Sequence, residues 1–272
     1  MDLFAIAVNN DASLAKRYEA AMGGSPNQKH LAQFSNVILT KGRISINARL
    51  WVLSTFLSGG EFHNMLKYCQ ELATLSAKPL DEILRHKLGA YYEKRIKFDK
   101  HFTGASEWHY GALNIGGMGA SNYGPFCIVF GPELNTSKQT ILYLKEDSLN
   151  AYSDDDGTVR IVELSEDIST DAAKHYLATL KLTRAIETSE PAEWAELLCS
   201  NNDYIEVVIS TQITTSHIEE LRVSEEEWHS LFDLAFEDMK RKLTNGERAL
   251  AHDFVQVLAN VRKHNVAIRS IP

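Results

Sequence analysis

The chain has 272 residues, 44% of them hydrophobic and 24% charged, with a formal net charge of -8. That length can bury a sizeable core in a single domain, and the composition is globular rather than disordered or fibrous. The acidic balance weighs against a general electrostatic grip on nucleic acid, but leaves room for an anionic ligand held by a few arginines and backbone N–H groups. Three widely spaced cysteines, Cys69, Cys127 and Cys199, read as reduced packing residues rather than a disulfide framework or a metal site.

In chain order, the N-terminal run MDLFAIAV lacks the basic flank of a secretory signal. No window approaches the ~20 apolar residues of a membrane span. The expectation is a cytoplasmic protein as made, compatible with export by a signal-independent machine. Residues 10–22 read as a helix capped by Asp11 or Ser13 and ended by Gly23-Gly24. AQFSNVILT and GRISINARLWV read as two strands around a turn at Lys41-Gly42, with Ile44 and Ile46 alternating with Arg43, Ser45 and Asn47. Residues 60–75 and 80–95 read as helices separated by Pro79, and KRIKFDKHFTG as a short basic connector.

From Tyr110 to Leu164 the character turns to β. YGALNI, PFCIVFG, TILYLKE and TVRIVEL are four candidate strands, with PELNTSK and SDDDG as loops. SDDDG lacks the distal glutamate of a calcium loop and reads as a solvated turn. Helices are expected over 169–187 and 190–200, then a strong strand in DYIEVVIST. Ser224 and Glu227 form a capping-box pattern that opens a helix over EEEWHSLFDLAFEDMKRKL. A last helix over 247–264 and an edge strand in VAIRSI close the chain. Regular βαβ alternation is missing, so the expected architecture is one α+β domain over 1–272, with helical lobes at about 57–97 and 224–264.

The stretch SEWHYGALNIGGMGASNYGPFCIVF, residues 106–130, is unusually rich in glycine beside Trp108, His109, Tyr110 and Tyr123. It is not a Walker loop, because no G-K-[ST] follows. Nor is it a dinucleotide fingerprint, because a strand comes next instead of a long helix. The ten histidines show no H-E-x-x-H spacing, so no catalytic metal is expected, and no G-x-S-x-G elbow is present. Cys127, amid an apolar strand, reads as inert packing.

Two blocks carry a resemblance. Tyr110-Gly111-Ala112-Leu113-Asn114 is followed by Gly119-Ala120-Ser121, Gly124 and Pro132-Glu133; further on, Tyr204-Ile205-Glu206 precedes Ile218-Glu219 and Leu221. In this wording the chain resembles the bacterial family catalogued as domain of unknown function 3626, itself similar to a divergent branch of the ADP-ribosyltransferase superfamily. The resemblance implies a split, mixed or antiparallel sheet with flanking helices that clamps NAD as a substrate. An Arg or His would stand on an early strand, a Ser or Tyr on a middle strand and a Glu on a late one. It implies a mono-ADP-ribosyltransferase, of the kind used as bacterial toxins or effectors, that modifies a host or bacterial protein acceptor and is paired with an immunity or chaperone partner.

Cleavage of the nicotinamide–ribose bond passes through an oxocarbenium-like ribose, which a nearby carboxylate stabilises. Glu206, inside an apolar strand and on one face with Tyr204 and Val208, suits that task; Asp203 and Glu219 are the acidic alternatives. Tyr110 is expected to stack on the nicotinamide, with His109 donating to a ribose hydroxyl and Gly111 beside them. Arg43, with Arg49 as rival, would bind the diphosphate as a fork, and Ser121 and Tyr123 would line the same cleft. The alternatives are NAD hydrolysis at the same site, or a binding protein without turnover whose C-terminal helices present Trp228, Leu231, Phe232 and Phe236.

Overall fold

The computed structural model describes residues 1–135, 140–201, 203–237 and 243–271. Eight strands make one continuous mixed sheet: β1 (Arg43–Ala48), β2 (His109–Asn114), β3 (Phe126–Phe130), β4 (Ile141–Leu144), β5 (Ile168–Thr170), β6 (Glu206–Ile209), β7 (Ile218–Ser224) and β8 (Ala267–Ile271). Their spatial order is β5-β4-β6-β2-β1-β3-β7-β8. Every neighbour is antiparallel except the edge pair β7–β8, which is parallel. The fold is therefore α+β with flanking helices, and its sheet is unbroken where a split one was expected.

Register sorts the side chains by period 2. Ile44 faces Leu113, Ile46 faces Ile128, and Tyr143 faces Val207. These residues belong to the larger core, which is closed by the helices Gln28–Lys41, Leu50–Gly59, Lys174–Ile186 and Asn245–His264. The opposite face differs along the sheet. Toward β4 it is apolar, with Leu142, Leu144 and Val208 packed on Phe98, Phe102 and Trp108. Toward β3 it carries Ser45, Asn47, Asn114, Cys127 and Arg222, which the glycine-rich loop covers.

Several local expectations change. AQFSNVILT is part of the helix Gln28–Lys41, because Leu31, Phe34, Ser35 and Ile38 form a buried stripe at helical spacing, and that period outweighs the β-branched content. The first helix begins at Leu3, not residue 10: Asp2 caps it by accepting the N–H groups of Phe4 (2.9 Å) and Ala5 (3.2 Å). Asp11 instead accepts from the Thr170 amide at 3.1 Å. The second half of TVRIVEL opens the helix Ile161–Glu166, and LWV opens the helix Leu50–Gly59. The basic connector is the helix Tyr92–His101. Helices Met65–Ser76 and Leu80–Leu88 form a small lobe around Cys69, Ile83, Leu84 and Tyr92.

SDDDG is a tight turn, with Gly157 at φ +83° and its N–H donated to the Asp154 carbonyl at 2.8 Å. At the C-terminus, Ser224 caps the helix Glu225–Phe232 and Ala267–Ile271 is an edge strand. Residues 136–139, which take in the end of PELNTSK, and residues 238–242 of the helix expected over EEEWHSLFDLAFEDMKRKL lie outside the described residues. Among the described residues no helix is long and apolar enough to cross a membrane.

Candidate functional site

A cavity of about 430 Å³ opens over the face of the sheet where β6, β2 and β1 lie side by side. Tyr110 and Glu206 both line it, as do Ser45, Asn47 and Tyr123. Strand register explains the first two: Ala112 is opposite Glu206 and Tyr110 opposite Val208, so all four share one face. Glu206 is 4% exposed, at the first position of β6. Its Oε2 accepts the Ser148 N–H at 2.9 Å. Burial and then the nearby Asp147 carboxylate push its pKa up to about 8, against the opposing pull of Arg95 and Ser148.

Three further residues complete the site. Arg95, from the helix Tyr92–His101, lies 4.0 Å over the Tyr110 ring and pairs with Asp99 at 3.3 Å. Asp147 caps the short helix Ser148–Ala151, accepting N–H groups of Leu149 (3.1 Å) and Asn150 (2.8 Å), and also accepts the Tyr204 hydroxyl at 2.9 Å. Tyr204 in turn meets the Tyr123 hydroxyl at 3.0 Å. Behind them Lys181, almost wholly buried, donates to the carbonyls of Lys145 (2.7 Å) and Tyr204 (2.9 Å) and pairs with Glu146 and Asp203. It thereby ties the segment carrying Asp147 to the one carrying Glu206.

Other expected residues fall elsewhere. His109 points to the opposite face, as alternation along a strand requires; it packs 6.0 Å from Phe62 and burial pushes its pKa down to about 4. Arg43 stands at the far end of β1, paired with Glu219 at 2.6 Å, and borders a separate crevice of about 270 Å³ with Asp171 and Lys174. Arg49 is exposed before the helix Leu50–Gly59 and outside the cavity lining. Ser121 donates to Asn201 at 3.0 Å, also outside the lining. Asp203 and Glu219, the acidic alternatives, are engaged by Lys181 and Arg43.

Gly111 reaches the cavity only with its backbone. A Cβ there would meet the Ser45 carbonyl at 2.6 Å and Ile46 at 3.1 Å, so this glycine lets β1 and β2 pack closely. Cys127 is buried and its thiol is pushed up to about 11, mainly by burial. Of the four C-terminal candidates, Leu231 is buried and Trp228 packs on Phe254 at 5.1 Å, while Phe232 and Phe236 are exposed.

Reading the sequence alone missed Arg95 and Asp147. Arg95 had a signal: the spacing of Arg95 to Asp99, with Phe98 and Phe102, is that of one helix face. Asp147-Ser148 after an apolar strand is an N-cap pattern. No protein-family model matches the chain, and no curated protein matches it.

Proposed function

We propose that the protein is an NAD-consuming, ADP-ribosyltransferase-like enzyme acting on a protein acceptor, with its sheet a variant of that superfamily's. The observation that carries this reading is the meeting of Glu206 and Tyr110, from adjacent strands, in one cavity beside β1. A buried carboxylate on the cavity floor is where an oxocarbenium-like ribose would be stabilised, and Tyr110, one ring face covered by Arg95, would wall the place of the nicotinamide beside it. The volume lies within the ~300–1,000 Å³ usual for ligand pockets. Arg95 takes the role expected of Arg43, as the cation beside the cavity.

In this reading Glu206 holds a proton at neutral pH before NAD binds and gives it up when the cationic nicotinamide ring arrives, since a nearby positive charge favours the carboxylate. Water in place of the acceptor would give NAD hydrolysis at the same site.

The test is nicotinamide release from NAD, with and without a cell lysate as acceptor source, by the wild type and Glu206→Gln. Release that Glu206→Gln abolishes supports the reading. Absence of release from the wild type in every condition overturns it, and release equal in the two proteins overturns the role of Glu206.

A further inference from the structure

The hydrogen bonds around Asp147 have a fixed direction. Its carboxylate accepts the Tyr204 hydroxyl proton at 2.9 Å. A hydroxyl has one proton to donate. The 3.0 Å contact between the two tyrosine hydroxyls must therefore carry the proton of Tyr123, donated to the Tyr204 oxygen. Edge-to-face packing of the two rings, with centroids 6.3 Å apart at 87°, holds that geometry. Tyr123 is 53% exposed at the cavity wall, so its free lone pairs face an incoming molecule as a hydrogen-bond acceptor. The same turn that carries Asp147 also gives the Ser148 N–H to Glu206, so the chain ends beside the central carboxylate.

We propose that Tyr123, Tyr204 and Asp147 form a proton relay that deprotonates the acceptor nucleophile, a role that rests on the NAD reading above. The bond from ribose C1′ to the nicotinamide nitrogen breaks, and its electron pair returns to the ring, which leaves as neutral nicotinamide. A lone pair of the acceptor forms the new bond to C1′. The acceptor's proton passes to Tyr123 while Tyr123 hands its own to Tyr204 and Tyr204 hands its own to Asp147, which ends neutral. The acceptor class follows: a nucleophile that brings a proton, such as a hydroxyl, amide or guanidinium, and not a carboxylate.

The experiment follows nicotinamide release and label transfer from NAD for the wild type, Tyr123→Phe, Tyr204→Phe, Asp147→Asn and the double Tyr123→Phe/Tyr204→Phe. Asparagine can still cap the helix and Phe keeps both rings, so each variant retains the packing. Each single variant should lose about 10²-fold in transfer kcat with the KM for NAD unchanged. The double variant should be no slower than either single, because a chain acts as one unit. A solvent deuterium isotope effect on transfer should be present in the wild type and lost in all four. Transfer by Tyr123→Phe at the wild-type rate overturns the relay while leaving the NAD reading intact, and so do losses that multiply in the double variant. A wild type that releases no nicotinamide overturns both.

Discussion

Tyr110 and Glu206 project from neighbouring strands onto one face of the sheet, two residues out of direct register, with the small Ala112 directly opposite Glu206. That offset leaves space above Ala112 for a ligand to touch both side chains. It also means that the two residues respond to one electrostatic environment, in which Arg95 lies over the Tyr110 ring and opposes the rise in the Glu206 pKa.

The first consequence concerns stability. Glu206 ionises near 4.5 when unperturbed and near 8 in the fold. Between those values the unfolded chain has released a proton that the native state keeps. The unfolded state then binds fewer protons, so stability falls as pH rises, by at most about 1.4 kcal/mol per pH unit. Glu206→Gln removes this dependence. Urea unfolding at pH 5, 6.5 and 8 should show the variant gaining on the wild type at each step. Parallel pH profiles for the two proteins would show that Glu206 ionises normally in the fold.

The second concerns NAD. If its cationic ring approaches Glu206, binding at neutral pH should release a proton to the buffer, approaching one per ligand. Titration calorimetry in buffers of different ionisation enthalpy measures that number. Glu206→Gln should bind NAD with no release from this site. Equal proton release by both proteins would place the coupling on another group.

How the site is assembled also shows what a sequence reveals about it. Glu206 was legible because a charge inside YIEVVI conflicts with its apolar surroundings, and Tyr110 because the glycines around it mark close backbone approach. Strand alternation, applied to His109 and Tyr110, would already have sent them to opposite faces. Arg95 was hidden because its helix buries few apolar residues, Phe98 against the sheet and Tyr92 against the small lobe, so local composition resembled a linker. Asp147 was hidden for another reason: its partner Tyr204 lies far along the chain, and only the β4–β6 pairing brings them together. The helix Gln28–Lys41 was misread because its β-branched residues favour a strand locally, while its buried stripe is set by tertiary packing.

Gly111 gives a purely structural prediction. Ala at this position places a methyl group 2.6 Å from the Ser45 carbonyl oxygen and 3.1 Å from Ile46, on a strand with neighbours on both sides. Backbone cannot move aside as a flexible side chain can, so β1 and β2 must separate. Gly111→Ala should lose about 1–3 kcal/mol in chemical denaturation. A cost below about 0.5 kcal/mol would mean that the ladder is looser than its register implies.

Arg95 separates charge from stacking. Among the described residues it is the one cation lining the cavity, and it serves both the Tyr110 ring and the Asp99 carboxylate. Arg95→Met removes the positive charge that holds Glu206 down, so the Glu206 midpoint should climb beyond about 8. Asp99, already raised mainly by burial, should rise further for the same reason. Because the pair is only partly buried, the loss of stability should be about 1–3 kcal/mol, below the ~3–5 of a fully buried ion pair. Arg95→Lys keeps the charge but loses the planar contact with Tyr110, so Glu206 should titrate near its wild-type value while ligand binding weakens. Carboxyl-carbon NMR of Glu206 across pH 5 to 10 reads the midpoint directly. An unchanged midpoint in Arg95→Met would remove Arg95 from the electrostatics of the site. A shift in Arg95→Lys as large as in Arg95→Met would show that the position of the guanidinium matters beyond its charge.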